Sequence, residues 1–308
     1  MSSTSATISR GSHVSRIVVI ARHTFTQLVR MKVFYFLGVF AVILIAVNLL
    51  KLPQHEGPEA AGINLLHMIK GWCIGPMHLF SVVLSIVATA LLLPKDVEDR
   101  TLYTILAKPV PRIDYLAGKL IGVLLLVFVS LAIMDLLMTV VLHVRTGMVL
   151  DQQIAMAQGQ EWNQESIDSL RTEIQAQGST WSLQGAIFAM FLRASIMASL
   201  ALLISTFSTS TLFTTIVSFL IYFIGHFQAD ARDAFLQAGE AGESVMTKFA
   251  SLAISLVFPD FQMFNVIDAV IQGQTMPLII LGKLTLIGLY YALFFTAASW
   301  LVFAKKEF

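Results

Sequence analysis

The amino-acid sequence predicts an all-α polytopic membrane protein, and three observations carry that prediction. Apolar residues make up 56% of the 308 positions and charged residues 13%, about half the charged share of a water-soluble domain. Mean hydropathy is +0.78. The apolar residues are also gathered into six runs, 33–50, 77–94, 115–143, 185–207, 212–227 and 276–303, and a helix needs about 17–25 such residues to cross a bilayer. The fifth run is short. Lys283, near one end of the sixth, either snorkels to the interface or precedes the true span.

The distribution of Lys and Arg orients these six helices. With the N-terminus in the cytosol, the inner segments carry 12 basic and 5 acidic residues and the outer segments 6 basic and 13 acidic. Both termini are therefore expected inside. The net charge of +1, without a basic run, gives no reason to expect a nucleic-acid partner. Cys73 is the single cysteine, so no intrachain disulfide can form. The start does not read as a cleavable signal peptide, because the apolar stretch 17–21 is short and Arg22 and His23 follow it at once.

Residues 1–32 form a tail ending in an amphipathic helix. Ile17, Ile20, Ala21, Phe25, Leu28 and Val29 recur at helical spacing, with Arg16, Arg22, His23, Gln27 and Arg30 on the other side. Such a helix lies in the cytosolic interface, as an anchor or as part of a partner dock. Residues 33–308 hold the six spans. Two outer segments, 144–184 and 228–275, are too long for simple turns. The first contains a helical pattern that Asn163 or Ser166 can cap and Gly178 can stop. In the second, Val245, Met246, Phe249, Leu252, Ala253 and Leu256 make an apolar stripe suited to the outer interface.

The densest charge sits in an inner loop, 95–114. Nine residues from Lys95 to Lys119 are charged. Asp99 can cap a short helix in which Leu102, Ile105 and Leu106 share a face, and Lys108 before Pro109 ends it. Burying each of those three side chains is worth about 1.5–3 kcal/mol. They fill either a groove on another protein or a space beneath the loop against the span ends.

The stretch "EDRTLYTILAKPVPRIDYLAGKLIG" resembles the loop after the second span of ABC-2 type permeases, the membrane subunits of ATP-driven transporters. It is most similar to the branch of multicopper-enzyme maturation permeases. The shared features are Glu98, Arg100-Thr101, the leucine-rich turn Leu102 to Leu106, Lys108-Pro109-Val110 and Gly118-Lys119, with Pro111 where a serine is usual. The basic amphipathic start, "ISTFSTST" and "FPDFQMFNVIDAVIQG" are similar to the family as well. The resemblance implies an ABC-2 exporter-type architecture. The loop would be a coupling helix, with Glu98, Asp99, Arg100, Thr101, Leu102, Ile105, Leu106, Lys108 and Pro109 docking an ABC ATPase subunit. It further implies a second permease subunit, identical or not, in a bacterial plasma (inner) membrane.

The chain itself lacks a phosphate-binding loop. "GKLIG" at Gly118 and "GKLTL" at Gly282 miss the upstream glycine and the following hydroxyl of such a loop, so ATP and Mg are expected on the partner. No spacing argues for a catalytic set. His67, Met68, Cys73, Met77 and His78 are residue types that suit Cu(I), but their spacing matches no defined site and interfacial packing accounts for them; no metal site is assigned. Asp135 and Arg193 each lie eight residues inside the outer boundary of consecutive antiparallel spans. At about 12 Å depth they are expected to pair, the alternative being that Arg193 snorkels outward while Asp135 is protonated or faces an aqueous cavity. A secondary transporter or a non-transporting membrane scaffold is the alternative to the permease as a whole.

Overall fold

The apolar runs fold as helices around one central member. The computed structural model describes residues 13–30, 38, 42, 61–98, 111–208, 210–239 and 259–305. In chain order the helices are α1 (His13–Val29), α2 (Ala61–Glu98), α3 (Arg112–Gly159), α4 (Gln164–Ala176), α5 (Trp181–Phe207), α6 (Thr211–Gly239), α7 (Ile267–Ile271) and α8 (Leu278–Lys305). A short 3-10 turn, Gln262–Phe264, precedes α7. No strand occurs among the described residues.

Five stretches among the described residues are helical, long and apolar enough to cross a membrane. They contain five of the six predicted spans. The first predicted span, 33–50, lies outside the described residues except for Gly38 and Val42, which are helical.

Two helices outrun their apolar cores. α2 begins at Ala61, sixteen residues before the predicted span, and continues through two internal prolines, Pro76 and Pro94. α3 has 48 residues, about 72 Å at 1.5 Å per residue, against roughly 30 Å of hydrocarbon. The segment 144–184 is therefore largely helical. Its first sixteen residues prolong α3, and α4 packs against α3 with Ile174 buried beside Leu142 and Val149. Asn163 stands at the N-cap of α4 without a side-chain cap bond, and Gln177 stands at its C-cap, one residue before the predicted stop.

α5 is the hub, with α2, α3, α6 and α8 packed around it. Its small residues Ala194, Ser195, Ala198, Ser199 and Ala201 are buried and let neighbours approach closely, as membrane helix interfaces require. Ser195 and Ser199 donate to Phe191 and Ile196 carbonyls inside the helix, so their hydroxyls ask nothing of the lipid. Where α8 crosses α5, a Cβ on Gly288 would stand 3.3 Å from Leu192. The outer faces of α6 and α8 carry exposed apolar side chains such as Leu220, Phe223, Leu289 and Leu293, as expected of helices that face lipid or another apolar surface.

Candidate functional site

The described residues that flank the predicted coupling loop form a tied frame at the α1 end of the bundle. The loop's upstream stem is the last turn of α2, and its downstream stem is the first two turns of α3. Tyr115 and Lys119 lie one turn apart on one face of α3, and both reach Asp96 Oδ2. The Tyr115 hydroxyl donates to it at 2.5 Å and Lys119 Nζ at 2.6 Å. The Asp96 and Lys119 side chains are 7% and 2% exposed. A charge so deeply buried is tolerated only when paired and hydrogen-bonded, and removing one partner of such a pair costs about 3–5 kcal/mol. The Lys119 ammonium also stands 5.7 Å from the Tyr115 ring centroid, within cation–π range.

A second face of the same α3 turns receives α1. Asp114 accepts from Arg16 Nε at 3.0 Å, and His13 Nδ1 is 3.0 Å from both of its carboxylate oxygens. One and two turns on, Gly118 and Gly122 open a groove. A Cβ on Gly118 would lie 2.7 Å from Ile20 Cβ, and one on Gly122 would lie 2.6 Å from Thr24 Cβ. Ala21, Thr24 and Leu28 are buried by this packing, whereas Val14 and Val18 stay exposed on the next strip of α1. The helix thus has one face for α3, an apolar strip beside it, and a polar side bearing the exposed Arg22 and His23.

A third contact ties the frame to α8. Arg112 donates to the carbonyls of Phe303 and Ala304 at 2.7 and 2.9 Å. It thereby satisfies two of the carbonyls a helix leaves open at its C-terminus and sets a cation against the negative end of its dipole. Tyr115 stacks on Phe303 with ring centroids 6.0 Å apart. Of the residues expected to dock a partner, Glu98 ends α2. Asp99, Arg100, Thr101, Leu102, Ile105, Leu106, Lys108 and Pro109 lie outside the described residues.

The sequence reading did not anticipate the frame. Asp96, Asp114 and Lys119 figure there as inner charges, and Gly118-Lys119 as a family feature that fails as a phosphate loop, with no contact assigned to any of them. The available signal was Gly118 and Gly122 four apart in an apolar helix, the small-xxx-small spacing of close helix pairs.

The structure does not bring Asp135 and Arg193 together. Asp135 accepts from Gln184 Nε2 at 3.1 Å and Thr139 Oγ1 at 3.2 Å. Arg193, 1% exposed, donates through Nη2 to the Phe261 carbonyl at 2.7 Å and sits against His78 Nε2 through Nη1. The expectation assumed that the two spans end at the same level. In fact Asp135 is level with Gln184, near the start of α5, and Arg193 lies nine residues further along, about 13 Å.

The residues considered for Cu(I) all belong to α2. Met77 and Cys73 are buried in the core and His78 turns to Arg193. Among the described residues no group of three or more His, Cys, Asp or Glu is placed to hold a metal ion.

Long apolar helices packed about a buried hub define a polytopic membrane protein. Residues 18–308 match the family described as ABC-2 family transporter protein. The chain belongs to that family, so it is a multi-pass membrane component of the ABC transporter class. No curated protein matches it significantly.

Proposed function

We propose that the chain is the permease subunit of an ATP-driven transporter and that ATP is hydrolysed, with Mg, on a separate ABC ATPase subunit. The ATPase docks at the α1 end, taken as cytosolic, through loop 95–114, with Leu102, Ile105 and Leu106 in a groove of the partner. Residues 1–32 provide the interfacial helix beside that dock, and 33–308 provide six spans. Two such subunits, identical or not, work with two ATPases in a bacterial inner membrane. The signature Lys108-Pro109-Val110 with Gly118-Lys119 supports the multicopper-enzyme maturation branch.

One observation carries this reading. The two stems of the loop are clamped to each other through Asp96, Tyr115 and Lys119, and to α1 and α8 through Asp114 and Arg112. A load applied to the loop therefore reaches two helices beyond its own stems, α1 and α8, rather than dissipating in a slack turn.

Gentle detergent purification of the full chain from its native host should bring down an ATPase. Leu106→Asp should leave insertion intact, weaken that association and uncouple ATP hydrolysis from function. Full association and full activity in Leu106→Asp would assign the three apolar side chains to packing beneath the loop. A chain that transports alone at its normal rate without nucleotide would overturn the proposal.

A further inference from the structure

A cavity of about 390 Å³ lies between α6, α8 and the turn that precedes α7, walled by Gln228, Asp260, Met263, Leu286, Tyr290 and Tyr291 among others. It sits at mid-helix depth. Tyr291 is thirteen residues from Leu278 and fourteen from Lys305, about 20 Å from either end of α8. The turn carrying Asp260 is level with the middle of α5, because Arg193, about 18 and 21 Å from the two ends of that helix, donates to the Phe261 carbonyl. Irregular backbone at such depth is tolerated where protein buries it or where it lines a cavity, and an acid there is a functional candidate by default.

The acid is held firmly. Phe261 N–H donates to the Gly225 carbonyl at 3.1 Å and Gln262 Nε2 to the His226 carbonyl at 3.0 Å. The turn approaches α6 so closely that a Cβ on Gly225 would stand 2.7 Å from the Pro259 carbonyl oxygen. Gln262 N–H donates to Asp260 Oδ1 at 3.0 Å and fixes the carboxylate itself. Among the described residues no cation forms a salt bridge with Asp260. Gln228 in the same wall is 9% exposed, and its Oε1 is buried without a hydrogen-bond partner.

Carboxylate, amide oxygen and two tyrosine rings all favour positive charge. The volume falls in the range of sites for drug-sized molecules, about 300–1,000 Å³, and greatly exceeds that of a bare ion. Leu286 and Met263, 71% and 50% exposed, make the outward rim apolar. We infer that this cavity binds a lipophilic organic cation, with Asp260 as counter-charge and Tyr290 and Tyr291 as the aromatic wall. The inference rests on reading the chain as a transport permease and names the chemical class of its cargo.

The test is radiolabelled tetraphenylphosphonium binding to the full-length chain in nanodiscs, without ATPase. Wild type should bind saturably. Asp260→Asn should weaken binding at least tenfold with an unchanged melting temperature, Tyr290→Leu should weaken it several-fold, and the exposed Asp268→Asn should leave it unaltered. The isosteric anion tetraphenylborate should not compete. Equal affinity in Asp260→Asn, competition by the anion, or absence of saturable binding would each overturn the inference. If Asp260→Asn does not fold, undiminished binding in Tyr290→Leu overturns it instead. A chain that recruits an ATPase but fails this assay leaves the permease reading standing. A chain that binds the cation but recruits no ATPase overturns the coupling and not the site.

Discussion

Gly122→Ala should lift α1 off the bundle while leaving α3 intact. The added Cβ would stand 2.6 Å from Thr24 Cβ and 2.9 Å from the Ala21 carbonyl oxygen. Neither atom is the far end of a flexible side chain, so rotamer changes cannot relieve the clash. Ordinary carbon–carbon contact begins near 3.5 Å, and α1 must move away by about 1 Å. That displacement opens the packing of Ala21, Thr24 and Leu28 and stretches the Arg16–Asp114 pair. Overpacking of this kind costs about 1–3 kcal/mol. Alanine in place of an interior glycine meanwhile favours α3 itself by roughly 0.5–1 kcal/mol. The two effects fall on different helices, and hydrogen exchange separates them. Amides of α1 should lose protection by about 5- to 150-fold, and those of α3 near residue 122 should hold or gain. Unchanged protection across α1 would show that the helix does not seat in the glycine groove, and the frame described above would lose one of its three ties.

Three further outcomes follow from the same contacts. Lys119→Met should destabilise the chain by about 3–5 kcal/mol by leaving Asp96 buried and unpaired, and Asp96→Leu added to it should recover much of that; thermal unfolding in detergent measures both. Asp135→Asn should be nearly silent, since an amide can still bond Gln184 and Thr139. The charge swap Asp135→Arg with Arg193→Asp should rescue nothing, whereas restored folding in a double-mutant cycle would show that the two side chains meet. Cysteines at Arg22 and Arg30 should react with an impermeant thiol reagent from the cytosolic side alone, and labelling from outside would reverse the orientation.

The helices that cross were legible because lipid leaves a backbone few other choices, and a long apolar run announces that directly. Their ends were not legible. α3 continues past His143 into a polar sequence because α4 packs on it through Ile174, a tertiary contact that no hydropathy window contains. The mismatch between Asp135 and Arg193 has the same origin, since depth was counted from where the apolar run stops rather than from where the helix stops. Buried charge was the other blind spot. Lys119 and Asp96 look like solvated loop residues until α2 and α3 are set side by side, and then they satisfy each other. α1 was read correctly as amphipathic: Ala21 and Leu28 of its apolar stripe are buried and Ile17, Ile20, Phe25 and Val29 half-buried, and Thr24 joins that side because Gly122 leaves room for its methyl.

Arg112 holds the last carbonyls of α8, and Tyr291 lies thirteen residues up the same helix from Ala304. One uninterrupted α-helix, about 20 Å of it, thus joins the root of the loop to the wall of the mid-depth cavity. Because a helix keeps its length under modest axial load, a push or pull that preserves the two Arg112 hydrogen bonds displaces Tyr291 by the same amount. On the permease reading, α8 would serve as a pushrod between the loop and the cavity, with Arg112 as the wrist pin.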